Sequence, residues 1–229
     1  MEILIILLIC ILSLLILGII FKINIKNIKQ IGENKELDEL TEKYPSNIDV
    51  CKSILEMVNN KTVKIEENKD SNTSLYIAIL NKISIANVRG SFTRIQTIAH
   101  ECLHSIQDRN ILLFNFWFSN IYLIYFVIIS LFALLGKLPN KMMFLTILII
   151  FGFIYYFTRS YLENDAMIKA RFLAKEYMEK QNISSKEEIF KIIKEYDKLN
   201  NIGIKCVNYK LYFDVCIKII IFAILILFI

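Results

Sequence analysis

Four apolar runs limit what this chain can fold into more than any other feature. They cover residues 3–21, 111–135, 142–157 and 211–229, and Asp214 and Lys218 are the main charges among them. A helix needs about 20 apolar residues to cross a bilayer, because ~1.5 Å of rise per residue must span ~30 Å of hydrocarbon. A hydrophobic content of 55% and a mean hydropathy of +0.49 agree with a membrane protein and argue against a soluble enzyme. The expected fold class is therefore a membrane α-helical protein with about four transmembrane helices. The polar segments between the runs are expected to form a small α+β domain.

The first run could be a secretory signal, but Lys22, Lys26 and Lys29 follow it instead of preceding it, and no small-residue cleavage site ends it. It reads as an uncleaved anchor. The positive-inside rule places those lysines in the cytoplasm and the N-terminus outside. The second and third runs are joined by a short turn containing Gly136 and Pro139, so they make a hairpin. Arg109 and Arg159 then return to one membrane face. Of the 27 Lys and Arg, only Lys137 and Lys141 fall on the far side, and Lys218 lies within a span. The expected organisation is an anchor over 1–21, a cytoplasmic α+β segment over 22–110 and a transmembrane hairpin over 111–159. A cytoplasmic helical segment over 160–209 and a C-terminal transmembrane helix over 210–229 complete it. Such a chain is a multi-pass protein of the cell membrane, with the lipid bilayer as its first partner. A net charge of +5 without a basic, aromatic-interleaved stripe excludes nucleic acid as a partner. The five cysteines, at 10, 51, 102, 206 and 216, form no C-x-x-C pair, which fits a reducing compartment better than a disulfide framework.

Within the first polar segment, Asn47 is expected to cap a helix running to about Asn59, with Ile48, Cys51, Ile54, Leu55 and Val58 on one face. β-leaning runs follow at 63–66, 75–80 and 83–86. Ser91 is expected to cap the next helix. That helix carries Phe92, Ile95, Ile98, Cys102, Leu103 and Ile106 on its apolar side and Thr97, His100, Glu101, His104 and Asp108 on the other. In the second polar segment, Ser184 with Glu187, or Ser185 with Glu188, offers a capping box for a helix to about Asn200.

The chemistry concentrates in His100-Glu101-Cys102-Leu103-His104, which reads H-E-x-x-H and uses both histidines of the chain. Side chains four apart on a helix point the same way, so both imidazoles can bind one Zn2+ per chain. Glu101, one residue on from His100, is placed to take a proton from water activated beside the metal. With no third histidine, the remaining ligand must be a carboxylate or a thiolate. Cys102 is a poor choice, because two helical positions rotate it ~200° from His100. The stretch 161–166, just past the hairpin, offers Glu163 and Asp165, and the hairpin returns both to the motif's membrane face. Arg94, Gln107, Asp108 and Arg109 flank the motif and place it outside the hydrocarbon.

These blocks resemble a known family. Residues 97–108 resemble the A-H-E-x-G-H-A-x-Q segment of the YugP-like neutral zinc metallopeptidases, which are bacterial integral membrane proteins. Residues 162–166, with Arg171, are similar to their later E-F-D-A-S motif, and the resemblance spans roughly residues 47–180. It implies a gluzincin-like, zincin-type domain in which His100, His104 and Glu163 bind zinc and Glu101 is general base and later acid. The oxyanion donor is not assigned by it, and Tyr161 and Arg171 are candidates. Leu103 stands where the family has Gly and Met167 where it has Ser. The E-x-x-x-D spacing of soluble gluzincins would need an acid at 167, so Asp165 stays a rival to Glu163. The expected function is a zinc-dependent metalloendopeptidase that hydrolyses protein or peptide substrates at the cytoplasmic membrane surface. The alternative is a non-catalytic membrane interaction or immunity-type protein with a vestigial or structural site.

Overall fold

A computed structural model describes residues 1–22, 34–68, 71, 73–86 and 90–228. Lys26 and Lys29, expected to mark the cytoplasmic side, lie outside the described residues. The elements in order are α1 (Glu2–Phe21), α2 (Lys35–Glu42), α3 (Asn47–Met57), β1 (Lys64–Asn68), β2 (Leu75–Ile77), β3 (Lys82–Ala86), α4 (Arg94–His104), α5 (Arg109–Leu134), α6 (Lys141–Gln181) and α7 (Lys186–Phe228). The chain divides into two units. One comprises Met1–Ile23, Phe114–Tyr161 and Lys205–Ile229, the other Asn24–Leu113 and Leu162–Ile204.

The first unit is all helix. α1, α5, α6 and α7 are each long and apolar enough to cross a membrane. Its interior holds Cys10, Tyr122, Ile129, Leu145, Leu148, Val215, Ile219 and Phe222, while large apolar side chains such as Leu8, Trp117, Leu131 and Ile150 are exposed. An apolar exterior of that kind is unfavourable in water and suits a hydrocarbon surround. Gly136, at φ 64°, takes the left-handed conformation that closes α5. Gly152 is needed for packing, because a Cβ there would sit 2.6 Å from Val215 Cγ1 and 3.0 Å from Tyr122 Oη.

The second unit is a three-stranded sheet with helices packed on it, in strand order β1-β3-β2. β1 runs parallel to β3 with Ile65 opposite Ile83, and β2 runs antiparallel to β3 with Tyr76 opposite Ile83. Ile83 and Ile85 of the central strand join Val50, Cys51, Ile54 and Leu55 of α3, and Ile95, Ile98, Ala99, Cys102 and Leu103 of α4, in one core. Ala166, Ala170 and Ala174 of α6 join the same core, where their small side chains allow close approach.

Several local expectations are corrected. Ser46, not Asn47, caps α3 by accepting from the Asp49 N–H, and the helix stops at Met57 with Asn59 at φ 55°. Asn47 is diverted because its side chain is buried, donating to the Ala86 carbonyl and accepting from Arg94. α4 starts at Arg94 after Thr93, because the Ser91 hydroxyl turns onto the Thr93 N–H. The second β-leaning run shortens to Leu75–Ile77, and Asn81, at φ 45°, ends the turn that follows. Asp108 leaves the motif face and caps α5, accepting from the Asn110 N–H at 2.7 Å, while Ile106 is exposed. α7 runs unbroken past Asn200, where a break was expected. α2 was not anticipated, since its eight residues bury only Leu37 and Thr41.

Arg94, expected among the charges that keep the motif wet, is instead buried at 5% exposure. Its guanidinium donates to the carbonyls of Thr41 (2.7 Å), Tyr44 (2.9 Å) and Pro45 (3.0 Å) and to Asn47 Oδ1 (2.8 Å). These carbonyls lie at and just past the C-terminus of α2, where the helix leaves acceptors unsatisfied and favours positive charge. Asp38 of α2 reciprocates by accepting from the Phe92 N–H at 2.7 Å, just ahead of α4. Arg94→Met strands those acceptors, and thermal melts in detergent should show a loss on the order of 3 kcal/mol or more. Arg94→Lys should recover little, because one ammonium cannot reproduce the planar fork. A wild-type melt for Arg94→Met would contradict this role.

Candidate metal centre

α4 places His100 and His104 one turn apart, with their rings edge to face and centroids 4.5 Å apart. The first residues of α6 in the same unit bring Glu163 to them. His100 Nε2 and His104 Nε2 are 3.0 Å apart, and Glu163 Oε2 lies 3.4 Å from the first and 3.7 Å from the second. Ligands bound at ~2.1 Å in tetrahedral geometry sit ~3.4 Å from one another, so the observed edges match one face of such a shell. His100, His104 and Glu163 could hold a metal ion, and all three side chains are largely buried.

Glu101 lies next to this cluster and is 6% exposed. Its Oε2 accepts from the Tyr76 backbone N–H at 2.6 Å. Because β2 is an outer strand of the sheet, an N–H given to Glu101 points away from β3. The outer edge of β2 therefore meets Glu101 at Tyr76. Burial pushes the Glu101 carboxyl above its ordinary value of 4.5, although His100, His104 and the Tyr76 N–H pull it back. Burial alone would lower His104, but the Glu163 carboxylate outweighs it and holds the imidazole above 6.5.

The rival ligand is placed elsewhere. Asp165 pairs with Lys169 at 2.5 Å and accepts from Gln107 Nε2 at 3.1 Å, outside the three-residue cluster. Arg171 is bound to Asp197 on α7 and lies over the Phe172 ring, two helical turns beyond Glu163. Tyr161 is 61% exposed and belongs to the other unit. It lies ~200° around α6 from Glu163. Neither belongs to the three-residue cluster. Cys102 is fully buried with its Sγ 3.7 Å from Cys51 Sγ, and Leu103 packs into the core. Met167 lies against Gly203 of α7.

Sequence reasoning missed two contributors, the Tyr76 N–H and Gln107. Gln107 Oε1 is 2.8 Å from His104 Nδ1, while Gln107 Nε2 donates to the Leu162 carbonyl at 2.8 Å. The signal for Gln107 was its place three residues after His104. Tyr76 had none, because its contribution is main-chain.

The direction of both shifts sets a pH dependence. Without metal, Glu101 and His104 bind protons more tightly in the fold than in the unfolded chain, so stability falls as pH rises above 4.5 for Glu101 and above 6.5 for His104. A divalent ion bound to the cluster would replace those protons as the source of charge balance. The melting-temperature gap between metal-loaded and chelator-treated protein should therefore widen between about pH 5 and pH 8. A gap that narrows over that interval would contradict the assignment of these groups to the centre. No family model, curated protein or solved structure matches this chain.

Proposed function

We propose that this chain is a membrane-embedded, zinc-dependent metalloendopeptidase acting on protein or peptide substrates at the cytoplasmic membrane surface. The observation that carries the reading is the face formed by His100, His104 and Glu163 with buried Glu101 beside it. Two imidazoles, one carboxylate and no thiolate suit zinc. Three protein ligands leave a position open, as catalytic zinc sites do and structural ones do not. A bound zinc would polarise the scissile carbonyl and acidify water at that position. Glu101, with its proton affinity raised by burial, is suited to accept a proton there and return it to the leaving amine.

Four apolar helices support placement in a membrane, and the Lys and Arg near their ends support a cytoplasmic site. The resemblance of residues 97–108 and 162–166 to the YugP-like metallopeptidases supports a divergent zincin-type member of that family.

Two measurements test this together. Mass spectrometry of purified protein should find one zinc per chain in wild type and in Glu101→Gln, with none in His100→Ala or Glu163→Ala. Hydrolysis of a fluorogenic peptide library in detergent should fall about 100-fold or more in Glu101→Gln. Metal-free wild type would sink the zinc reading. One zinc per chain with turnover indifferent to Glu101→Gln would remove Glu101 as the base, and zinc without any turnover would favour the non-catalytic alternative.

A further inference from the structure

We propose that Gln107 is a positioning residue that holds His104 in its metal-binding tautomer, and that Asp165 and the Leu162 carbonyl in turn hold Gln107. This rests on the metal-centre reading and adds to it the group that orients one of the ligands. Gln107 Nε2 faces two oxygens, the Leu162 carbonyl at 2.8 Å and Asp165 Oδ2 at 3.1 Å. A carbonyl and an ionised carboxylate only accept, so the amide nitrogen must face them. Rotating the amide by half a turn would set its oxygen against both. The amide oxygen is thereby committed to His104 Nδ1, 2.8 Å away, which must carry the proton it accepts. His104 Nε2 is left with its lone pair toward His100 and Glu163.

Both ends of this bridge are anchored. Asn60 Nδ2 donates to the Ser105 carbonyl at 3.0 Å and contacts Ser105 Oγ at 3.1 Å, fixing the turn that carries Gln107. Asp165 is held from its other side by Lys169. The acceptors at 162 and 165 flank Glu163, so the same amide also ties the end of α4 to the stretch that supplies the third ligand. Partners of this kind typically alter metal affinity 10–100-fold while touching no metal.

Two proteins and two readouts test the bridge. Zinc affinity is measured by competition with a chromophoric chelator in wild type and in Gln107→Leu. Gln107→Leu should bind zinc about 10–100-fold more weakly. Long-range proton–nitrogen NMR of the metal-free proteins, at a pH where both imidazoles are neutral, should find His104 protonated at Nδ1 in wild type. Gln107→Leu should give a mixture of tautomers. Wild-type affinity and tautomer in Gln107→Leu would overturn the proposal, as would a wild-type His104 protonated at Nε2. If wild type binds no zinc, the metal reading fails, and the NMR arm still decides whether Gln107 sets the tautomer.

Discussion

Charge balance in a poorly hydrated corner is the constraint on which the second unit turns. Glu101 and Glu163 sit beside His100 and His104 with little solvent to share their charge. Two ionised carboxylates next to two neutral imidazoles would leave two negative charges uncompensated, a cost that proteins meet by protonation or by a cation. Without metal, protonation is the answer, which is why both Glu101 and His104 are displaced upward. A divalent ion bound to the cluster would remove the same imbalance without protons.

The surrounding fold holds that corner in place by few but specific contacts. Arg94 and Asp38 lock α2 to the start of α4, so the motif helix begins from a fixed point although its own first turn lacks a side-chain cap. The central strand β3 and helix α3 pack under the apolar side of α4, and β2 brings the Tyr76 N–H to Glu101. Glu163 arrives last in sequence, after the chain has left this unit at Leu113 and re-entered it at Leu162. The α5–α6 hairpin therefore returns Glu163 to the histidines along the chain. Gln107, bonded to His104 on one side and to the Leu162 carbonyl on the other, bridges that long separation in sequence.

The large-scale plan was legible because it depends on composition and period. Long uncharged runs can be satisfied by few structures other than apolar helices, and histidines four apart on an amphipathic segment share a face. Glu163 could be narrowed to a pair with Asp165, because a hairpin returns to its starting face. Choosing between them required coordinates, since Glu163 and Asp165 lie ~200° apart around α6 and nothing local says which side meets α4. Other errors share one cause. Asn47, Arg94 and Ser91 each had a plausible local role, and tertiary partners reassigned all three. Arg171 was drawn toward the site by resemblance, yet Asp197, far along the sequence, claims it. The Tyr76 contact was invisible because a backbone N–H carries no residue signature.

The central claim is that two imidazoles and one carboxylate, with no cysteine, hold a zinc ion at this centre. X-ray absorption at the zinc edge of the purified protein tests it most directly. The account predicts a nitrogen and oxygen shell at ~2.0–2.1 Å, with the outer-shell scattering of two imidazole rings and no sulfur. A sulfur contribution at ~2.3 Å would place a cysteine in the shell, and absence of zinc-imidazole scattering would remove the histidines; either result would contradict it.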